Sequence, residues 1–407
     1  MPQTIKSIII IGAGAAGVFA AIHNKLNNPK ANVIIIEKSA TVLAKVKISG
    51  GGRCNVTHAC FDPKQLVEHY PRGKKELLSC FHKFQPQDTI NWFTAEGVKL
   101  KTEADNRIFP TSDKSQTIID CLLTKLHQLN IPIHTKTDVT TIKKQKNKFN
   151  LTLGNNTTIT CDKLILATGS AAQGYALAKS LGHSIIHPIP SLFTFKINDK
   201  NLHKLSGLAV KNVTVELIKQ KKSAQTGPLL ITHWGLSGPS IIKLSAIHAK
   251  SLYEKNYTTD IIINWLPNLT KNDIETLLNT TKQQSPTKLI RSQSPFNTLP
   301  NRLWHYLTTK ANLNTQQSWA TLQKKQILAL INQLQHCSLL INGKGVFKEE
   351  FVTCGGVALN EINFKTMQST KHNNLHIIGE LLDIDGLTGG FNFQNAWTTA
   401  FLSAKTD

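Results

Sequence analysis

Acidic residues are scarce in this chain. Asp and Glu number 25 against 47 Lys and Arg, which gives a formal net charge of +22 and a pI near 9.7. Such an excess attracts polyanions over the whole surface and suits nucleic acid or an anionic membrane face, although a basic proteome or solubility alone would leave the same composition. The lysines are spread along the chain and form no long block, which fits a broad face better than a tail. Long apolar runs are missing as well: none reaches the eighteen or so residues a membrane span needs, so no membrane partner is expected. The stretch KSIIIIGAGAAGVFAAI, residues 6–22, imitates a signal peptide, but its glycine pattern explains the same residues better. Seven cysteines (Cys54, Cys60, Cys80, Cys121, Cys161, Cys337 and Cys354) are scattered, odd in number and without a Cys-x-x-Cys pair. That excludes the usual zinc spacing, leaves no metal site to propose, and points to a reduced, cytoplasmic protein. No internal repeat is evident. At 407 residues and 40% hydrophobic content, the chain is long enough for two or three packed domains and far from a disordered composition.

What is present is glycine in patterns. Ile8 to Ile11 is a β-branched run that reads as a buried parallel strand, and it leads through Gly12-Ala13-Gly14-Ala15-Ala16-Gly17 into a helical stretch, Val18 to Leu26. Gly12 permits a sharp turn, Gly14 the close approach of a pyrophosphate, and Gly17 tight packing of helix on strand. The pyrophosphate then rests on the helix N-terminus at Ala15 and Ala16, where free N–H groups favour negative charge. A second apolar run, Val33 to Ile36, ends in Glu37, placed to take both hydroxyls of an adenosine ribose. This context predicts dinucleotide binding.

Two later segments favour FAD over NAD. DKLILATGS, residues 162–170, is a buried strand ending in Ala167-Thr168-Gly169, a turn typical of two-dinucleotide flavoprotein folds. NLHIIGELLDIDGLTGGFNFQNAW, residues 374–397, is a strand running into Gly379-Glu380, then a glycine-rich turn and a helix. Together they predict an α/β fold with a Rossmann-like sheet built from both ends of the chain. Glu380 would meet the ribityl chain or pyrophosphate, and the turn through Gly389 and Gly390 to Asn392 would bring backbone N–H groups to the flavin. No second Gly-x-Gly-x-x-Gly is present, so NADH or NADPH would act as a transient reductant in the cleft that later admits the substrate.

With KISGGGRCNVT (47–57), RIFPTSDKS (107–115), THWGLSGPS (232–240) and GGVALNEIN with TMQS preceding the 374–397 segment, the chain resembles the YhiN/BaiN-like FAD-dependent oxidoreductases, the aminoacetone-oxidase-like flavoproteins. The motifs occur in order over nearly the full length. The resemblance implies an FAD domain interrupted by an insert with a β-barrel-like part and a helical part. It places Gly50, Gly51 and Gly52 beside the FAD, where side chains would collide with it. Arg53 and Asn55 would supply donors and Lys47 a positive charge, and Lys38, Ser49, Cys54, Val139 and Phe393 complete the expected cofactor contacts. Departures occur at His58, where an asparagine is common, and at Trp234, where a small or hydroxyl residue is usual; both bear on substrate.

The expected division is 1–190 and 346–407 for the FAD domain and 191–345 for the insert, with a helical subdomain at about 268–337. Within the insert, SLFTFKI, KNVTVELI, GPLLITHW and TDIIINW read as strands. TKNDIETLLNTTKQQ, LPNRLWHYLTTKANL and SWATLQKKQILALINQL read as helices, with Thr270 and Asp273 suited to capping the first, and SLLIN and FVTCGGV return the chain as strands. Lys282, Lys288, Arg291, Arg302, Lys310, Lys324 and Lys325 are interleaved with Trp304, His305, Tyr306 and Trp319. Basic groups can neutralise phosphates while aromatic faces stack on unpaired bases; amphipathic helices with buried tryptophans would look the same.

The flavin would carry the redox chemistry, and the protein must supply a proton. Cys54, beside the charge of Arg53, and His233, in a Gly/Ser/Pro-rich turn, are the candidates, with Cys354 a weaker one. Cys54 also reads as a small buried residue, and His233 as a hydrogen-bonded structural one. Members of the resembled family have been associated with reduction of a large-subunit rRNA uridine, with oxidation of small amines and with bile-acid reduction. The charge favours rRNA: hydride would reach C6 of a uracil turned out of its stack, and Cys54 or His233 would protonate C5. The expected partner is 23S rRNA or the assembling large subunit, with no stable protein partner. A small-molecule flavin oxidase or reductase is the alternative, and an RNA-binding assembly factor with structural FAD a third. With one cleft for both reactants, initial-velocity lines at varied NAD(P)H and acceptor run parallel; intersecting lines would contradict the shared cleft.

Overall fold

The computed structural model describes residues 6–218, 223–345 and 352–405. The chain divides into two compact units, Met1–Ile189 with Val352–Asp407, and Pro190–Phe351. The boundary expected at 345/346 adjoins residues 346–351, which lie outside the described residues, as does Phe351 at the head of an expected strand.

In the first unit, the strands Ser7–Ile11, Lys163–Leu166 and Leu375–Ile377 are short runs of Ile and Leu buried on both faces, as central parallel strands must be. They pair in parallel in the order Leu375–Ile377, Lys163–Leu166, Ser7–Ile11, Asn32–Ile36, Ile133–His134. Strands from the two ends of the sequence thus share one sheet, the Rossmann-like arrangement expected from the glycine and Gly-Glu segments. The helix Ala15–Asn27 lies against Phe391–Ser403 through an aromatic cluster in which the Phe19 ring centroid is 5.2 Å from Trp397 and 4.8 Å from Trp92. Lys163, buried in the sheet, donates to the Ser403 carbonyl at 2.6 Å, and burial pushes its ammonium down to about 7.

The insert is a closed six-stranded barrel: Phe195–Ile197, Gly235–Ser237, Gln225–Thr232, Ala209–Leu217, Thr258–Asn264 and Cys337–Lys344, in that order around it. Helices Lys271–Gln284, Asn301–Lys310 and Lys324–Gln335 share one apolar core with it. Thr270 and Asp273 form the expected capping box, with Thr270 Oγ1 accepting from Asp273 N–H and the Asp273 carboxylate accepting from Thr270 N–H at 2.8 Å.

One open reading is decided and one segment is more regular than its composition suggested. Trp304, Tyr306 and Trp319 are buried in this core, and the Trp304 indole N–H is spent on the Ile290 carbonyl at 2.8 Å. They are packing residues and offer no faces for bases. The turn read over 232–240 is a hairpin tip at His233–Trp234 followed by a strand, after which Pro239 opens the helix Pro239–Ile247. Proline at the first helical position starts a helix at no cost in hydrogen bonds.

In the first unit, Glu361 ties distant segments together. Its carboxylate meets His183 Nδ1 at 2.9 Å, Ser184 N–H at 3.0 Å and Lys371 Nζ at 2.8 Å, while His183 Nε2 meets Ser369 Oγ at 2.9 Å. The Ser369–His183–Glu361 line has triad spacing, but Ser369 is buried and its oxygen already accepts from Lys371 and His372 N–H, so it fixes the chain and attacks nothing. Partial burial works to raise the Glu361 pKa, yet the bonds from Lys371, Ser184 and His183 hold it at about 2, against a usual 4.5. A depressed carboxylate stabilises the fold above its unfolded pKa and stops doing so as pH falls through the folded value. E361Q should therefore cost about 1–2 kcal/mol at pH 7 in chemical denaturation, with the gap to wild type closing below about pH 4.5. A pH-independent gap would refute the assignment.

Candidate flavin site

The dinucleotide motif folds by close approach. An added Cβ at Gly12, whose φ is 107°, would come within 2.5 Å of the Ala167 carbonyl oxygen, and one at Gly17 within 1.9 Å of the Gly12 oxygen. Gly14 differs: its φ is an ordinary −83°, and a Cβ there would meet nothing within 4 Å. It is the N-cap of Ala15–Asn27 and makes no side-chain cap, so the positive end of the helix dipole at Ala15 and Ala16 carries no side-chain acceptor from the cap. The Glu37 carboxylate closes the loop from the neighbouring strand, accepting from Ala13 N–H at 2.7 Å and Ser39 N–H at 2.8 Å. Lys38 pairs with Asp138 at 3.5 Å, and the adjacent Val139 carbonyl accepts from Gln173 at 2.6 Å.

On the other side of the loop, Thr168 Oγ1 is buried without a hydrogen-bond partner, and Gly169 turns through a φ of 59°. Gly379 has a φ of 67°, and a Cβ there would lie 2.9 Å from Ala16 Cβ. Its neighbour Glu380 is ion-paired with Lys45, whose ammonium also donates to Ser170 Oγ at 3.0 Å. Lys45 is a site residue that the sequence did not reveal. Lys47, the lysine expected there, is exposed, and its backbone carbonyl accepts from Ser115.

Gly50, Gly51 and Gly52 all have positive φ, between 58° and 82°. They end the helix begun at Ala44, where the preceding Ser49 donates its hydroxyl to the Val46 carbonyl at 2.9 Å. Cβ atoms at Gly51 and Gly52 would meet nothing within 4 Å, whereas one at Gly50 would strike Phe109 at 2.9 Å. Glycine is thus required here first by backbone conformation, and the space beside Gly51 and Gly52 is open.

Arg53 and Asn55 depart from expectation. The Arg53 guanidinium bonds Glu103 at 2.6 Å and lies over the Phe109 ring at 4.0 Å, so its charge is held by a carboxylate. The Asn55 amide, in the orientation that satisfies both its ends, donates to the Thr57 carbonyl and accepts from Gly390 N–H at 3.0 Å, pinning the two glycine loops together. Asn392 likewise closes its own turn, accepting from Gly386 N–H and donating to the Gly386 carbonyl. These side chains shape the loops. The helix Phe391–Ser403 begins at Gly390, with a φ of 94° and no side-chain cap, so it presents a second electropositive terminus, beside which Phe393 stacks on Trp397.

The acid candidates also change. Cys54 is completely buried, and burial pushes its thiol up to about 12; Arg53, engaged elsewhere, does not activate it. Cys354 is buried within the strand Val352–Val357. His233 belongs to the insert, exposed at a hairpin tip with its ring edge-on to Trp234. The imidazoles that the first unit places at the glycine turn are His58 and His69. His69 stacks on Phe391 at 4.2 Å and 10°, and His58 on the same ring at 4.6 Å, with His58 Cδ2 3.3 Å from a Cβ at Gly389. The sequence marked His58 only as a departure and gave no sign of His69, because the contact depends on a segment more than 300 residues away.

An uncapped helix terminus, an open approach at Gly14, an orphaned buried hydroxyl at Thr168 and a strand-end carboxylate are the features a dinucleotide flavin requires. The residues present fit FAD.

The sequence profile of the HI0933-like protein Rossmann domain matches residues 6–406. Curated relatives include the ribosomal RNA dihydrouridine synthase of Escherichia coli, 29% identical over 98% of this chain and 96% of that one, and the enzyme of the same name from Haemophilus influenzae, 29% identical over 97% of each. The 3-dehydro-bile acid delta(4,6)-reductase of Clostridium scindens is 27% identical over 98% of both. Among solved structures, 3-ketosteroid delta1-dehydrogenase from Sterolibacterium denitrificans shares the fold with a TM-score of 0.51 at 10% identity, covering 99% of each chain. The chain belongs to the HI0933-like Rossmann family of FAD-dependent oxidoreductases.

The glycines separate fold from cofactor. G14A should leave the melting temperature of the flavin-free protein unchanged while weakening FAD binding at least tenfold, because the added methyl has room only until a pyrophosphate arrives. G17A should destabilise the flavin-free protein itself. Undiminished FAD affinity in G14A would place the pyrophosphate elsewhere.

Proposed function

We propose that this chain is an FAD-dependent, NAD(P)H-using enzyme that reduces a uridine of 23S rRNA to dihydrouridine. The formal charge of +22 carries the choice of substrate, since a polyanion gains from so basic a protein and a small neutral enone gains nothing. Two relatives that bear the rRNA dihydrouridine synthase name, aligned over almost their whole length, support it.

On this reading Glu37 takes the adenosine ribose, with Lys38 and Val139 bordering the same end. The N–H groups of Ala15 and Ala16 bind pyrophosphate oxygens, and Lys45 with Glu380 sets the charge beside them. Gly51 and Gly52 leave open surface for the isoalloxazine, Gly389 and Gly390 pack closely against Phe391 and Thr57, and the N-terminus of Phe391–Ser403 favours electron-rich oxygens on the ring system. When bound, FAD supplies the hydride, taken from NAD(P)H, for the electron-poor carbon of a double bond conjugated to a carbonyl. His58 and His69 hold the proton that the neighbouring carbon must receive, and solvent returns it to the imidazole. A hydride on C6 and a proton on C5 together saturate the uracil ring. The base must leave its stack to lie on the ring system.

The bile-acid reductase among the relatives supports a second reading, reduction of a soluble enone, because a uracil C5–C6 bond and an enone are the same acceptor in chemical terms. Single-turnover chemistry separates them. Protein reduced anaerobically with NAD(P)H and freed of excess should regain its oxidised absorbance on adding 23S rRNA that lacks the modification, with dihydrouridine in the digest. Protein that stays reduced with rRNA but is reoxidised by a 4-en-3-one would give the second reading the lead. H58Q/H69Q should slow the rRNA step at least 100-fold, while flavin reduction by NAD(P)H keeps its rate. C54A should reoxidise at nearly the wild-type rate.

A further inference from the structure

Charge is handled differently in the two units. In the first, Lys38, Lys45, Arg53, Arg72, Lys74 and Lys101 each lie within ion-pair distance of a carboxylate. No such pair joins two described residues of the insert. Three of its cations turn to backbone carbonyls: Lys282 Nζ donates to Leu322 O at 2.7 Å, Lys310 Nζ to Ser338 O at 3.2 Å, and Arg302 to Lys204 O. A carbonyl orients an ammonium or guanidinium but cancels none of its charge. These groups are held in place with their charge uncancelled by the carbonyls, although Lys310 also acts on the Asp199 carboxylate, whose pKa its charge helps to lower.

Several of them converge. A cleft of about 450 Å³ in the insert is lined by Lys200, Lys310, Asn198, Asp199, Asn342 and Leu340. Lys196 flanks it through Gly343, next to Asn342, and Arg302 reaches Lys204 on the adjoining turn. The one carboxylate, Asp199, accepts from Tyr306 Oη at 2.7 Å and from Asn201 and Leu202 N–H; these bonds, with the nearby charge of Lys310, outweigh its partial burial and keep its pKa low. Asn342 Oδ1 accepts from Asn198 N–H at 3.0 Å, which leaves its amide nitrogen as a neutral donor. Leu340, 47% exposed on the outer face of the barrel strand, provides an apolar floor between the cations.

We propose that this cleft and its rim grip the phosphodiester backbone of RNA, with Lys200 and Lys310 in the cleft, Lys196, Lys204 and Arg302 along the rim, and Leu340 beneath a sugar or base. This rests on the rRNA reading and adds a docking surface on the insert to it. The buried tryptophans take no part, so recognition here is of backbone and shape, independent of sequence.

The test is the salt dependence of 23S rRNA binding by the FAD-loaded enzyme, comparing K200Q/R302Q/K310Q with an equal-charge control, K271Q/K324Q/K325Q, whose lysines are exposed on other helices of the insert. Removal of three single-strand phosphate contacts should lower the log–log salt slope by about 2 and weaken binding at least tenfold near physiological salt, whereas the control should change the slope by less than about 0.5. Matching thermal melts and FAD content certify that both variants are folded. Equal losses in the two variants, or none in either, would overturn the cleft while wild-type dihydrouridine formation still upheld the rRNA reading. Wild-type enzyme with no salt-dependent rRNA affinity would remove both.

Discussion

The contact between Gly12 and the Ala167 carbonyl governs the first unit. Two parallel strands from opposite parts of the sequence end side by side there, and a Cβ on Gly12 would stand 2.5 Å from the oxygen. Because no side chain intervenes, the loop can fold back so that Gly17 lies on the Gly12 oxygen and the helix starts flush with the sheet. That geometry leaves the helix N-terminus uncapped and pointing outward, which would be a liability in a protein with nothing to place there. Glu37, Thr168, Gly379 and Lys45 are gathered around the same terminus by the order of the strands. The site follows from the sheet.

A second thread is the use of carboxylates. With so few available, the first unit uses them to hold cations near the loops: Glu380 on Lys45, Glu103 on Arg53, and Asp385 on a largely buried Arg72. These pairs fix loop geometry in a region that must accept an anionic cofactor without collapsing onto it. The insert, poor in acid, keeps its charge outward. The same composition thus gives ion-paired loops at the cofactor cradle of one unit and no ion pair between described residues of the other.

The parts of this arrangement that depend on near neighbours in sequence were legible. Ile8–Ile11, the glycine turn, the helix after it and the Thr270–Asp273 cap are local, and their residue types force their conformations. Family resemblance located the glycine loops, but it could not say what their side chains touch. Arg53 looked like a phosphate ligand because Glu103, fifty residues on, was invisible as its partner. Asn55 and Asn392 looked like ligands because amides bond cofactors and loops with equal ease. Trp304 and Trp319 looked like base-stacking faces because an amphipathic helix shows its tryptophan in sequence without showing which side is covered. His69 carried no motif at all, and it entered the site only through the stack on Phe391.

The first unit is an FAD cradle and not merely a glycine-rich sheet edge. The most direct measurement is to denature the purified protein, after incubation with excess FAD, FMN and NAD together followed by desalting, and to identify and count the nucleotide released. One FAD per chain, with neither of the others, is the predicted result. FMN or an empty protein would leave the positions at Gly14 and Glu37 without a dinucleotide, and NAD would fill them without a flavin; each result would contradict the account.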